Sequence, residues 1–440
     1  MTTEDLNAVI EEFSGRSFDQ FFDQWVYHAG QPELTISYAW DEKAKLAKLT
    51  IQQVQKLSDD VLLFNLPLPL RFKTKSGTVD RQLAVREKAE DFYLPLPEAP
   101  EVVRVDPDLT VLAKVIFNPP TPMLLAQLGD RTDLPGRLIA IEQLTTRPNS
   151  AVVAKLKDVL NTDPFYAVRL AAARALRSIH SDEALDALLA STKQGDARVR
   201  LEIAQALGGF QRDTACAAAL EMADKGKNPE IRAAAIGTLG AYRKAEVREK
   251  LRRYLDAESY RDVLTEAALG AIRTQDDASF IAPVQEWLRK RETNAPSGVF
   301  GRGLDTLAWL ARNEEQKEGI WEYLAGFVNS PKRPVQTAAL SALGTLGDPK
   351  ALPVLEKFAG ANRQNPARGA AERALASLRD ARKPSAELGA LRNEMTEVQK
   401  ENRQLRKDLD DLKKKFEALL PTTPTHTAVK PKAPAKPSRR

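Results

Sequence analysis

The sequence has few of the residues that build metal centres, disulfide frameworks and membrane spans. Its 440 residues include one cysteine, Cys216, and three histidines, His28, His180 and His426. A single cysteine excludes an internal disulfide framework and a cysteine-rich zinc site. No apolar run approaches the roughly 18 residues that a membrane-spanning helix needs. The sequence therefore predicts neither an integral membrane protein nor a membrane partner.

The excess of basic residues is confined to the C-terminal tail. The formal net charge is +5, from 65 basic and 60 acidic residues. Residues 421–440 hold five basic residues and no acidic one, so residues 1–420 carry equal numbers of each. A basic isoelectric point usually suggests a nucleic-acid partner. The neutral charge of residues 1–420 argues against that partner class here. The tail is predicted to be disordered, because it is rich in proline, lysine and threonine and has no aromatic residue.

Residues 1–30 are typical of an aromatic amphipathic helix and its exit. Leu6, Ile10, Phe13 and Trp25 fall close to helical spacing. The start, MTTEDLNAVIEEF, is acidic and has no apolar core, so it is not a secretory signal and a cytoplasmic location is expected. A helix with so many aromatic side chains is expected to pack against another surface.

Residues 31–119 predict a small β-sandwich. Apolar and polar residues alternate in short stretches, for example at 34–40 and 64–72, and these stretches follow one another about every ten residues. Roughly seven such strands are typical of a sandwich of two antiparallel sheets. The prolines Pro67, Pro69, Pro95 and Pro97 are expected to restrict some of these strands to sheet edges.

Residues 120–382 repeat. The clearest copies read DPFYAVRLAAARAL, DARVRLEIAQAL and NPEIRAAAIGTL, and about eight copies align at intervals of 31 to 36 residues. Each copy has a first apolar helix, a turn with Asp, Asn or Pro, and a second helix rich in alanine. Such a unit leaves an apolar face that only the next copy can cover, which is the principle of an α-solenoid. The pattern resembles HEAT repeats.

An acidic residue or Asn before the turn and an arginine in the second helix recur from copy to copy. We expect each arginine to reach the aspartate of the adjacent repeat and so to form a structural ladder. In three later copies Leu264, Phe300 and Gln336 replace the arginine, and there packing alone is expected to hold the stack. The predicted ladder residues are Asp133, Arg137, Asp163, Arg169, Asp196, Arg200, Asn228 and Arg232.

Residues 385–420 change to a period of 3.5 residues. Five heptads with leucine at most d positions, Asn402 at one a position and the oppositely charged g–e pair Glu401–Arg406 predict a parallel two-stranded coiled coil, and hence a homodimer. The alternative is a single amphipathic helix that folds back on the solenoid. The predicted dimerisation residues are Leu388, Leu391, Met395, Val398, Asn402, Leu405, Leu409, Leu412, Phe416 and Leu419.

Residues 8–118, about a quarter of the chain, are similar to the junction between the catalytic and β-sandwich domains of M1-family (gluzincin) zinc aminopeptidases. The stretches that carry the resemblance are SGRSFDQFFDQWVYHAGQPELTISYAW, LTIQQVQ, FNLPLPLRFKTKSG and VVRVDPDLTVLAKVIFN. The resemblance implies that residues 1–30 are the end of a catalytic domain. It also implies that a helical superhelix follows the sandwich, which in that family closes over the active site.

The catalytic motifs of that family do not occur in this sequence. It holds neither H-E-x-x-H, whose two histidines lie four residues apart, nor G-x-M-E-N. No catalytic or metal-binding residue is therefore predicted, and zinc is expected only if a separate catalytic domain holds it. The predicted function is a non-catalytic binding or scaffold module that holds a protein or peptide through the solenoid. The alternatives are a C-terminal fragment or subunit of an active M1 aminopeptidase and, less favoured, nucleic-acid binding through the tail.

Overall fold

The computed structural model describes residues 2–362, 365–380 and 386–419. Over these ranges a small β-sandwich is followed by a long helical solenoid and a C-terminal helix, as the sequence predicts. The predicted tail at 421–440, with His426, lies outside the described residues. Within them, no helix combines the length and the apolar character needed to cross a membrane.

The N-terminal segment contains α1 (Thr3–Ser14), α2 (Asp19–Phe22) and a π-helical turn over Asp23–Tyr27. A capping box between Thr2 and Asp5 begins α1, and the helix ends at Gly15 in the left-handed conformation. Helix α1 buries none of its side chains, and Phe13 is 93% exposed. The segment contacts the sandwich mainly further along, where the ring of Trp25 lies 5.2 Å from that of Phe64.

The sandwich consists of two sheets. One sheet has the strand order β5-β2-β1-β7, in which β1 and β7 run parallel, and the other has the order β4-β3-β6. Alternate side chains of the two sheets, such as Leu34 and Ile51 on one side and Leu68 and Phe72 on the other, form a shared buried core. The strands are β1 (Glu33–Asp41), β2 (Leu46–Gln53), β3 (Leu66–Thr74), β4 (Gly77–Val85), β5 (Ala89–Pro95), β6 (Val102–Val105) and β7 (Lys114–Phe117).

Pro95 ends the edge strand β5, as expected, whereas Pro67 and Pro69 of β3 do not lie in an edge strand. Strand β3 lies in the middle of its sheet, between β4 and β6, and not at an edge. However, β6 pairs only with the stretch from Leu70 to Lys73. Pro67 and Pro69 precede that stretch, so their missing N–H groups fall where β3 has no strand neighbour on that side.

A buried ion pair joins the sandwich to the solenoid. Side chains alternate along β6, so Val103 and Val105 belong to the sandwich core while Arg104 points to the other face of the sheet. The Nε of Arg104 lies 2.6 Å from a carboxylate oxygen of Asp133, and both side chains are more than 90% buried. Asp133 also accepts a hydrogen bond from the backbone N–H of Gly136 and so caps the helix that follows it.

Eight antiparallel helix pairs follow in the described ranges, and one continuous hydrophobic core runs through them. The pairs are α3 (Thr121–Gly129) with α4 (Leu134–Thr145), α5 (Ser150–Thr162) with α6 (Tyr166–Ile179), α7 (Asp182–Ala190) with α8 (Ala197–Leu207), α9 (Asp213–Lys225) with α10 (Pro229–Leu239), α11 (Ala245–Leu255) with α12 (Val263–Gln275), α13 (Ile281–Arg291) with α14 (Ser297–Ala311), α15 (Glu318–Ala325) with α16 (Arg333–Leu346), and α17 (Leu352–Ala359) with α18 (Pro366–Asp380).

The second helices of successive pairs approach each other more closely than the first helices do. Small residues permit this approach. A Cβ built on Gly344 of α16 would lie 2.6 Å from the Cα of Ala374 in α18, and one on Gly240 would lie 3.0 Å from the Cα of Ala271. Because the second helices are closer together, the array curves with them on its inner, concave side.

The last element is α19 (Ala386–Leu419), a helix of 34 residues. Its backbone is described throughout. Its side chains are described from Glu394 to Leu412, except at 396 and 410, and all of them are exposed. The predicted dimerisation residues Leu388, Leu391, Phe416 and Leu419 have side chains outside the described ones.

Candidate binding surface on the inner face of the solenoid

The predicted ladder residues mainly bind backbone groups of their own repeat. The four Asp or Asn residues accept hydrogen bonds from backbone N–H groups at the start of the second helix, as in Asp196 with Arg198. The arginines donate to backbone carbonyl oxygens of their own repeat, in the loop for the first three and in the last turn of α9 for Arg232. These bonds are Arg137 to Asp130 at 2.9 Å, Arg169 to Asp163 at 2.7 Å, Arg200 to Gly195 at 2.8 Å and Arg232 to Ala223 at 2.8 Å.

Of these four arginines, Arg137 also makes the predicted contact with the next repeat. Its Nε lies 2.9 Å from a carboxylate oxygen of Asp163, and both side chains are 97% buried. The pKa of the Asp196 carboxyl is lowered mainly by Arg198 and also by Arg169 of the preceding repeat, although Arg169 and Asp196 form no ion pair among the described residues.

The guanidinium groups of Arg169, Arg200 and Arg232 donate to backbone carbonyls within their own repeat, and their part in a ladder stays a prediction. These arginines thus fix the turn within their repeats, while apolar packing and other ion pairs, such as Arg212 with Asp182 and Lys244 with Asp213, join one repeat to the next.

Three residues replace the repeat arginine in the later copies. Two of them are buried apolar side chains, and the third, Gln336, still donates a hydrogen bond to a backbone carbonyl. Leu264 and Phe300 are buried. Gln336 donates from its amide to the carbonyl oxygen of Val328 at 2.8 Å, so it does what the arginine does elsewhere. This bond lies within one repeat, so the expectation that packing alone joins the repeats at Gln336 stays a prediction.

A groove opens on the inner face where α12, α14 and α16 lie side by side. It encloses about 350 Å³, a volume within the usual range of ligand sites. Glycines form much of its floor, and a Cβ built on Gly270 or Gly298 would meet nothing within 4 Å. The groove lining is Gly270, Arg273, Gly298, Gly301, Arg302, Asp305, Thr306, Pro334 and Ala338.

Two arginines and one aspartate supply the charge of the groove. Arg302 donates to a carboxylate oxygen of Glu266 at 2.9 Å. Arg273 donates to the backbone carbonyl of Asp305 at 3.3 Å, so its contact is with the main chain and not with the carboxylate. Burial raises the pKa of Asp305 to about 6, although Arg273 and Arg302 both oppose the rise. The carboxyl group is thus poorly solvated beside two cations.

An aromatic side chain continues this surface. The guanidinium groups of Arg273 and Arg312 lie 4.6 Å and 3.8 Å from the ring centroid of Trp309. Arg312 also forms a bidentate pair with Asp276, with both distances at 2.6 Å. The buried indole Nε1 of Trp309 has no hydrogen-bond partner. Stacked arginines therefore hold one end of the groove in a fixed geometry.

Sequence reasoning did not find the groove residues. Arg273, Arg302 and Asp305 stand outside the aligned arginine position of the repeats. The available signals were the longer intervals of 36 residues that end at Phe300 and Gln336, and the closely spaced Gly298 and Gly301 between them. Neither signal says which face of the helix is exposed.

The other residues weighed from sequence have structural contacts. The ring of His180 stacks on Phe210 at 4.8 Å, and the Nδ1 of His28 lies 2.9 Å from the carbonyl oxygen of Asp23. Cys216 is buried, and burial raises the pKa of its thiol. Over the described residues, no three His, Cys, Asp or Glu side chains are close enough together to hold a metal ion.

Comparison with known families identifies the class of protein that this architecture defines. A family model for HEAT repeats matches residues 121–198, 188–273 and 305–376, which together cover just over half of the chain. The chain therefore belongs to the HEAT-repeat family, which confirms the expectation from the repeats.

Among curated proteins, the chain is similar to transcription initiation factor TFIID subunit 2. The Drosophila melanogaster protein is 23% identical over 195 residues, which are 38% of this chain and 16% of the relative. The Gallus gallus protein is 26% identical over 200 residues, which are 39% of this chain and 17% of the relative. The chain thus matches about a sixth of the length of these relatives.

The comparison with solved structures gives two partial matches. Legionella pneumophila aminopeptidase A in complex with aspartic acid has 14% identity and a TM-score of 0.43, over 85% of this chain and 52% of that chain. Human deoxyhypusine hydroxylase in complex with glycerol has 16% identity and a TM-score of 0.28, over 59% of this chain and 96% of that chain. At these scores neither structure adds an argument about function.

Proposed function

We propose that the chain is a non-catalytic binding module that holds an extended segment of a protein or peptide in the groove between α12, α14 and α16. The observation that carries this proposal is the groove itself, a cavity of about 350 Å³ on the inner face with a floor of small residues and charged walls. Extended inner faces are the surfaces that solenoids commonly use for recognition.

The lining suits a peptide main chain. Glycines without side chains let another backbone approach closely, and Gly270 and Gly298 have open space above them. Arg273 and Arg302 can donate to peptide carbonyls or to acidic side chains, and the carboxylate of Asp305 can accept from a peptide N–H. A peptide main chain has both N–H donors and carbonyl acceptors, so a groove that offers both hydrogen-bond donors and acceptors can bind it.

The curated relatives support a role in an assembly. Both are named as subunits of a transcription initiation factor, so each of them works as part of a larger complex. A module that binds a segment of another protein fits such a setting. The cytoplasmic location expected from the sequence stays a prediction.

The test blocks the groove without disturbing the fold. Phage-displayed random 12-residue peptides are selected on the full chain, and the affinity of selected peptides is measured by fluorescence anisotropy. Gly270→Gln places a long side chain over the floor. We expect it to weaken binding by about tenfold or more, since the loss of a few contacts worth ~1.4 kcal/mol has that effect.

The matched control is Gly237→Gln, on α10 of the same face, where a Cβ also meets nothing within 4 Å. Both variants add the same side chain to an open glycine of a second helix, so circular dichroism should show the same helix content for both. Binding that is unchanged in Gly270→Gln, or equally weakened in both variants, would contradict the proposal.

A second candidate is a part of an M1-type aminopeptidase whose zinc motif lies on another segment. Helix α1 favours it, because Leu6, Val9 and Phe13 on that helix are all exposed and apolar. The sequence stretches between residues 8 and 118 that resemble the family add to this view. The role of the chain would then be to support and enclose a catalytic domain.

Activity on aminoacyl amides distinguishes the two candidates. With zinc added, the purified chain should show no turnover above background under either candidate. Addition of a catalytic segment with an H-E-x-x-H motif should produce activity that depends on this chain only under the second. Substitution of Phe13 by Asp should then abolish the gain, because a charge would replace an apolar contact.

A further inference from the structure

Helix α19 turns its apolar side away from the rest of the chain. Among the predicted dimerisation residues with described side chains, the apolar ones are between 51% and 68% exposed. They are Met395, Val398, Leu405, Leu409 and Leu412. These residues occupy the a and d positions of the heptads and form a stripe, here called the seam.

The opposite side of α19 faces the solenoid. Lys400, Arg403 and Lys407 line a cavity of about 500 Å³ together with Asp182 and Glu183, which lie at the start of α7. In the heptad these basic residues hold f and b positions, on the far side of the helix from the seam. Basic side chains on the polar side of α19 thus share this cavity with two acidic residues of the solenoid, of which Asp182 is paired with Arg212.

This arrangement disfavours the folded-back helix that the sequence left open. A helix that folded back to cover its apolar stripe would bury the a and d positions against the solenoid and expose the f positions. In the structure the described a and d side chains are exposed, so the stripe is not buried against the solenoid. An apolar stripe over at least three heptads therefore has no cover within the described residues.

We propose that a second copy of this chain covers the seam, in a parallel and in-register coiled coil. Charge selects both the occupant and the orientation. Four of the five g positions are acidic, at Glu387, Glu394, Glu401 and Asp408, and the fifth is Lys415; the e positions that follow the four acidic ones are Arg392, Gln399, Arg406 and Lys413. In a parallel pair each g side chain faces the e side chain of the partner five residues on.

Parallel pairing therefore sets acid against base at three of these four places. In an antiparallel pair g would face g and e would face e, so acid would meet acid and base would meet base along both edges. Asn402 at an a position adds to this selection. Two Asn side chains can bond to each other across an in-register parallel seam, and a shifted register would leave each one against an apolar residue.

The first test is the mass of the full chain in solution, measured by light scattering. The wild-type protein should have about twice the chain mass of 48.7 kDa. The double variant L405E/L409E places charges in the seam and should be monomeric. The control, K400E/K407E, adds the same two side chains to the far side of the helix and should stay dimeric.

Each outcome decides the proposal. A monomeric wild-type protein overturns it, as does a dimer that survives in L405E/L409E. Circular dichroism and the main thermal transition of the solenoid should be unchanged in both double variants, so that a lost dimer reports on the seam and not on unfolding.

Two further variants test the orientation and the charge rule. M395C should form a covalent dimer on mild oxidation only if residue 395 lies beside its own copy, as in a parallel pair; the buried native Cys216 gives the wild-type background. E401K/D408K and R406E/K413E should each be monomeric alone and should pair when mixed. No covalent dimer in M395C, or homodimers of both charge variants, would contradict the parallel arrangement.

Discussion

Helices α16 and α18 approach closely at Gly344, so replacement of this glycine by alanine should affect stability differently from the same replacement at Gly270, which has open space around it. Gly344→Ala adds a methyl group 2.6 Å, 2.7 Å and 2.8 Å from the Cα, Cβ and carbonyl oxygen of Ala374. Two of these three atoms belong to the backbone, so the two helices must move apart. Overpacking of this kind typically costs about 1–3 kcal/mol, against a gain of about 1 kcal/mol from better helix propensity.

The same substitution at Gly270 meets open space. No atom lies within 4 Å of the added Cβ there, and the position is in the middle of α12. The helix propensity gain of about 1 kcal/mol should then appear without opposition. The propensity gain is common to both variants, so we expect them to differ in free energy of unfolding by about 1–3 kcal/mol, with Gly270→Ala above the wild-type protein and Gly344→Ala at or below it.

Urea unfolding followed by circular dichroism measures this difference as a shift of the transition midpoint. Gly301→Ala provides a graded intermediate, because its Cβ would lie 2.9 Å from the Cβ of Ala338, a single side-chain atom, and 3.4 Å from a carbonyl oxygen. The expected order of stability is Gly270→Ala, then Gly301→Ala, then Gly344→Ala. Equal shifts at all three positions would show that spacing between the second helices does not limit the packing of the solenoid.

Two more predictions concern buried charges. Arg104→Met should lower the free energy of unfolding by about 3–5 kcal/mol, because it leaves the carboxylate of Asp133 buried without its partner; in a double-mutant cycle with Asp133→Asn, whose amide oxygen can still cap α4, the combined cost should be less than the sum. Asp305→Asn should stabilise the protein above about pH 7 by about 2–3 kcal/mol and not at about pH 4. The native pKa of Asp305 is raised to about 6 from an ordinary value of 3.8, so the native state holds a proton that the unfolded chain releases, and wild-type stability falls as pH rises through that window. A pH profile of urea midpoints that is the same for Asp305→Asn and wild-type protein would exclude this role.

The sequence predicts those features that follow from local geometry. Alternation of apolar residues marks strands such as β1 and β2, because side chains alternate between the faces of any strand. The repeat period marks the helix pairs, because each pair must present the same apolar faces to its neighbours. Both signals are read from one stretch of chain at a time, and neither depends on which distant element lies opposite.

The sequence does not reveal a side chain's hydrogen-bond partner when that partner is a backbone atom. The arginines of the repeats donate to backbone carbonyls, which any residue supplies. The sequence pattern therefore shows that an arginine recurs at the position of Arg200 in most copies, but it does not show which group that arginine binds. The same holds for Pro67, whose place in a central strand is permitted by the short length of β6. The groove residues Arg273 and Asp305 depend on how far α12 and α14 stand apart, which the 36-residue interval alone does not give.

The proposed dimer and the proposed groove would act together. Five residues, 381–385, separate α18 from α19, and at about 3.3–3.6 Å per residue they can span at most ~20 Å. Because paired helices lie about 8–10 Å apart, a parallel coil would hold the ends of α18 from two copies within ~50 Å of each other. The groove lies between α12 and α16, in the half of the solenoid nearer to this junction. A ligand with two binding segments could therefore engage both grooves, and its affinity would then exceed that of one segment by ~10²- to 10⁴-fold, provided that the linker between its segments spans the gap. The seam variant L405E/L409E separates the two effects, since it should remove this gain and leave the affinity for a single segment unchanged.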